Sequence, residues 1–142
     1  MNNDAILQPM LAMMLLTGLV WVFLYTRRIP AMRAARRPAQ TYTTPEKVIG
    51  LLPDAINYPA HNLKNLFELP VLFYALCLTL YVTGIVDGVY VAAAWGFVAF
   101  RALHSAIHCT VNRVMARFVC YVISSLLLWF MLVRATIEIF GR

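Results

Sequence analysis

Asn62-Leu63-Lys64-Asn65-Leu66-Phe67-Glu68-Leu69-Pro70 opens a long apolar segment. On a helix, Asn65 and Glu68 stand three residues apart and share a face. From Leu69 to Val82 the chain is almost wholly apolar. A carboxylate about two turns inside such a segment is costly unless it has a partner. The reading of the whole chain turns on where Glu68 finds one.

The surroundings are those of a membrane protein. Of 142 residues, 62% are hydrophobic and 13% charged, and the mean hydropathy is +0.73. A soluble domain is nearer half apolar and a quarter charged. The length suits one domain, 1–142. A net charge of +6 fits nucleic acid or anionic lipid, and its placement decides between them. Arg27, Arg28, Arg33, Arg36 and Arg37 flank an apolar run and are not interleaved with aromatics, which reads as a topology signal beside a bilayer and excludes a nucleic-acid partner. Arginines so placed also suit anionic headgroups, at about 1 kcal/mol each. Cys77, Cys109 and Cys120 form no CxxC pair, so neither a disulfide framework nor a thiolate metal site follows, and buried reduced thiols are expected.

In chain order, Ala5–Thr26 is long enough to cross a bilayer. It carries Asp4 at its start and no small-residue cleavage site before the arginines, so it is expected as a retained span and not a signal peptide. Arg27–Ala60 holds five prolines and reads as a polar connection, with a short helix starting at Thr43-Thr44-Pro45-Glu46. Turns over Thr83–Gly88 and Cys109–Asn112 separate the remaining apolar runs. The expected fold is all-α, an integral membrane four-helix bundle with spans at roughly 5–26, 61–82, 89–108 and 114–138.

Polar residues inside the spans converge. Glu68 lies about 10 Å in from the His61 end, and Arg101 reaches the same depth on the antiparallel third span, at 1.5 Å per residue. An ion pair between them is therefore expected. Arg101, His104 and His108 form one stripe with Ser105 beside it, and Arg113, Arg117 and Tyr121 form another. One buried pair would suffice to fix helix register. Several cations gathered at one level suggest an anionic ligand. His104-x-x-x-His108 with Glu68 also has metal-ligand spacing, but neighbouring arginines oppose a dication, and no metal is expected.

At these residues the chain resembles the MAPEG family, the membrane-associated proteins in eicosanoid and glutathione metabolism. Asn65-Leu66-Phe67-Glu68 followed by Pro70 is similar to the opening of that family's second helix. Arg101-x-x-His104-Ser105-x-x-His108, then Arg117 and Tyr121, has the spacing of its prostaglandin E synthase branch. The resemblance implies a homotrimer with glutathione as co-substrate, bound at the cytoplasmic side between protomers. It implies Asn65, Glu68, His104, His108, Tyr121 and Arg101 as glutathione-binding residues and Arg117 as the catalytic, thiolate-stabilising one. His61 departs from the family, whose studied enzymes carry arginine there, and so does His108, commonly a tyrosine.

A fixed guanidinium lowers a thiol pKa without giving up its own proton, and the thiolate is the nucleophile. The function expected is a glutathione-dependent transferase or peroxidase-like activity on a lipophilic electrophile reached from the bilayer. The alternatives are a non-catalytic lipid-binding or scaffold protein of the same fold, and a small transporter whose buried charges mark a pathway. The positive-inside rule puts the first and third connections in the cytoplasm and both termini on the other side. Labelling single cysteines from each side should find residues of the Arg27–Ala60 connection reactive from the cytoplasm; a cytoplasmic amino terminus would refute this topology.

Overall fold

Backbone N–H and C=O groups cannot be left unpaired in hydrocarbon, so a chain this apolar crosses a bilayer as helices or as a closed barrel. The computed structural model describes residues 2–141 and takes the first route, with no strand among them. After a 3-10 turn over Asn3–Ile6 come α1 (Leu7–Ala34), a second 3-10 turn over Ala39–Tyr42, α2 (Pro45–Leu51), α3 (Asp54–Leu66), α4 (Leu69–Thr83), α5 (Gly88–Cys109) and α6 (Val114–Phe140). Four segments are long and apolar enough to span: Asn3–Ala34, Asp54–Thr83, Gly88–Cys109 and Val114–Phe140.

The last two match the expected spans within two residues. The first two do not. α1 continues through Pro30 to Ala34, and its 28 residues make about 42 Å against a hydrocarbon core of about 30 Å. The arginines at 27, 28 and 33 thus lie on the helix and not in the connection. The second span starts at Asp54, with Pro59 in its second turn, where the missing N–H leaves one carbonyl of the ladder without its donor. It also breaks in the middle. The Pro70 ring clashes with the carbonyl four residues back, at Leu66, and α3 ends at that residue, leaving Phe67 and Glu68 between two helices.

The connection to α3 is anchored. Thr44 caps α2 by accepting from the Lys47 amide, with Pro45 in its first turn. Buried Asn57 donates to the carbonyls of Ile49 and Leu52 at 3.2 and 3.3 Å, tying α2 to α3. In the bundle, α5 packs most extensively on α6, and α1 lies against α3, α4 and α5. Phe73 and Phe97 stack in the core at 4.3 Å. Leu15, Leu19, Val82 and Val133 point outward, as lipid-facing residues do.

At the bundle end formed by the Gly84–Asp87 turn, Asp87, Arg134 and Glu138 pair with one another. Asp87 caps α5 through the amides of Val89 and Tyr90, both at 3.0 Å. Arg134 of α6 grips Asp87 with both terminal nitrogens and pairs with Glu138 at 3.1 Å. Its guanidinium lies over the Tyr90 ring, whose hydroxyl donates to Glu138 at 3.0 Å. The Arg134 contact and the two amides hold the Asp87 carboxyl down at about 2. An unfolded aspartate titrates near 3.9, about the pH above which the contribution is complete; it is lost as pH falls toward about 2. Asp87→Ala should destabilise the detergent-solubilised protein by about 1–2 kcal/mol at neutral pH, the sum of a lost cap and a part-exposed ion pair. The gap in melting temperature from wild type should close as pH falls through that window, and a gap constant with pH would contradict it.

Candidate functional site

The opposite end of the bundle is built differently. One face of α3 presents Asp54, Tyr58, His61 and Asn65 at helical spacing, and Lys64 and Glu68 flank it. Together with His104 and His108 of α5 and Arg117 and Tyr121 of α6, they line a cavity of about 700 Å³. Small-molecule sites run from about 300 to 1,000 Å³. Asn112, Val114 and Phe118 complete the wall.

Two local features set the geometry. His104 Nδ1 lies 2.8 Å from the carbonyl of Arg117. A carbonyl only accepts, so Nδ1 carries the hydrogen, which leaves Nε2 an acceptor in the neutral ring. Asn112 adopts the left-handed region at φ 47, which asparagine tolerates better than most residues, and its side-chain oxygen accepts from Arg117 Nη1. The Arg117 side chain is therefore held from the turn before α6 while its backbone is tied to α5. Ser105 donates to Asn62 at 3.4 Å, and Asn62 donates to Cys109 Sγ at 3.5 Å, so α3 is also joined to α5 behind the cavity.

Asn65, Glu68, His104, His108, Arg117 and Tyr121 all line the cavity, and Arg101 does not. It is wholly buried, with its guanidinium 4.8 Å from the Tyr121 ring centroid and 5.5 Å from that of Phe97. The expected Glu68–Arg101 ion pair is not formed within the chain; the ion pairs among the described residues are those of Arg134. The physical reason is the break at Pro70. Glu68 precedes α4 as its N-cap and is exposed, whereas Arg101 is held under two aromatic rings. Arg101 Nε, Nη1 and Nη2, His104 Nε2 and His108 Nδ1 are all buried without a hydrogen-bond partner.

Asp54, Tyr58 and Asn112 were not singled out in the sequence. Their signal was present: 54, 58, 61 and 65 repeat at helical spacing. For Asp54 and Tyr58 it was masked because the prolines assigned Arg27–Ala60 to a connection.

A model of the MAPEG family matches residues 6–137, nearly the whole chain. The chain belongs to the MAPEG family. No curated protein and no solved structure gives a match. Membership and the four apolar helices make the protein a multi-pass integral membrane protein. Within this MAPEG chain the unpaired state of Arg101 has a direct consequence for stability. A charge buried without a hydrogen-bond partner carries a desolvation cost that an apolar chain does not, whereas breaking a buried pair costs about 3–5 kcal/mol. Arg101→Met should leave the melting temperature of the ligand-free protein unchanged or raised, and Glu138→Gln should lower it more than Glu68→Gln. A large loss on Arg101→Met would show that Arg101 is paired after all.

Proposed function

We infer that this MAPEG protein is a glutathione-dependent membrane transferase or peroxidase-like enzyme acting on a lipophilic electrophile. The observation that carries the reading is the cavity itself, in which cations and hydrogen-bonding groups from three helices meet at one end of the bundle. Glutathione offers two carboxylates, an ammonium, two amides and a thiol. Lys64 and Arg117 suit the carboxylates and the thiolate, Glu68 and Asp54 suit the ammonium, and Asn65 and Tyr121 suit the amides. Arg117 is the residue proposed to stabilise the thiolate. It is half-buried, where a guanidinium acts more strongly than in open water, and Asn112 fixes its orientation. Exposed Val114 and Phe118 give the cavity an apolar edge, which favours a lipophilic second substrate arriving from the bilayer. A homotrimer, with the cavity facing the cytoplasm and both termini on the other side, belongs to the same proposal.

Thiolate formation gives the test. Adding glutathione to the purified protein should produce the ultraviolet absorbance of a thiolate. Arg117→Ala should abolish that signal with little change in melting temperature, because Arg117 lies at the cavity wall and not in the core. Arg113→Ala should retain most of it, since Arg113 caps α6 and does not line the cavity. No thiolate in wild type at saturating glutathione would remove the enzyme reading and leave a non-catalytic lipid-binding or scaffold protein.

A further inference from the structure

We propose that the arginine end of α1 holds an anionic phospholipid, its headgroup between Arg28 and Arg33 and an acyl chain in the apolar groove that leads up to them.

The sequence supplies the charge. Arg27, Arg28, Arg33, Arg36 and Arg37 follow one another with no aspartate or glutamate anywhere from Ala5 to Pro45. None of the five enters an ion pair among the described residues, where the ion pairs are those of Arg134. Helix length sets their depth. The apolar run Ala5–Thr26 is about 33 Å long at 1.5 Å per residue, enough to fill a hydrocarbon core of about 30 Å. The turns of α1 from Arg27 to Ala34 therefore stand at headgroup level. Trp21 and Tyr25 lie one to two turns deeper, at the boundary where such rings collect.

The groove supplies the selectivity. Trp21, Val22, Tyr25, Thr26, Ile29 and Pro30 are exposed and line a shallow groove of about 340 Å³ on the outer face of α1. Trp21 and Tyr25 meet edge to face at 5.0 Å along one side, and Arg28 continues their row, seven and three residues on. Ile29 and Pro30 form the other side, and Arg33 continues that row, four and three residues on. Side chains on a helix lean toward its N-terminus and cover the turn before their own Cα, which for these two arginines is the polar end of the groove. Arg28 Nε is buried without a hydrogen-bond partner. Arg27 is placed differently: its guanidinium lies over the Phe23 ring at 5.6 Å, and Phe23 lines a separate hollow against α5.

An apolar groove ending between two uncompensated cations fits an amphiphile with an anionic head. Phosphatidylcholine offers the same chains and phosphate but sets its own cation among the arginines, whereas phosphatidylglycerol does not. A neighbouring copy of this chain is a poorer occupant. Of its carboxylates only Glu46, Asp54 and Glu68 belong to this end, the last two lining the cavity with Lys64 and Arg117, so a copy brings more cations than anions.

Trp21 reports on its own groove. A protein carrying Trp95→Phe and Trp129→Phe is reconstituted in phosphatidylcholine vesicles, and a minor fraction of the lipid is replaced by phosphatidylglycerol or by phosphatidylcholine with brominated acyl chains, which quench a tryptophan they touch. Quenching should favour brominated phosphatidylglycerol by about fivefold or more in apparent lipid affinity, the preference one arginine confers near a membrane surface. Arg28→Gln with Arg33→Gln should bring the two lipids level, and Arg27→Gln should leave the preference in place. Arg33→Gln alone, which should reduce the preference, serves as the second variant should the double one not fold. Equal quenching by the two lipids with all arginines present overturns the proposal. So does a preference that survives the double variant, or one that Arg27→Gln removes as completely. Quenching of Trp21 by neither lipid would put a second copy of the chain on the groove and overturn it as well.

Discussion

The hydrogen bond from His104 Nδ1 to the Arg117 carbonyl organises the functional end of this protein. It joins the polar face of α5 to the first turns of α6 and fixes the tautomer of one ring. It also sets the height at which the Arg117 side chain leaves its helix. Asn112 then orients the guanidinium from the preceding turn, and the α3 face closes the third side of the cavity. The Ser105–Asn62–Cys109 contacts keep that third side in register with α5.

The two ends of the bundle obey the same rule with opposite outcomes. Buried or half-buried polar groups need partners, because the low-dielectric interior makes an unpaired one costly. At the Asp87 end the rule is satisfied inside the chain: Asp87, Arg134, Glu138 and Tyr90 bind one another and staple α5 to α6. At the other end it is not. Arg101, His104 and His108 retain sealed nitrogens with no hydrogen-bond partner, directly behind an open cavity. Saturated polarity reads as scaffold, and unsaturated polarity beside a cavity reads as a place for something to bind.

Much of this was legible in the sequence. Composition and arginine placement indicated a membrane bundle, and the stripes of α5 and α6 brought His104, His108, Arg117 and Tyr121 together as helical spacing requires. Two features were not legible, and both trace to proline. Prolines between Pro30 and Pro59 suggested a longer polar connection than exists, because periodicity does not reveal how well a span tolerates proline. Pro70 broke the second span just where depth-matching assumed a continuous helix, so Glu68 turned out to the cavity and Arg101 was left between Phe97 and Tyr121. Depth on a helix fixes height along the bundle. It does not fix which way a side chain turns when the helix stops two residues earlier.

The proposed function requires the unsaturated end to be a glutathione site whose sulfur lies at Arg117. An experimental structure of the protein in lipid nanodiscs with saturating glutathione tests it most directly. Ligand density is expected in the cavity between α3, α5 and α6, with the sulfur at the Arg117 guanidinium. Density with the sulfur turned away from Arg117, or an empty cavity at saturation, would contradict it.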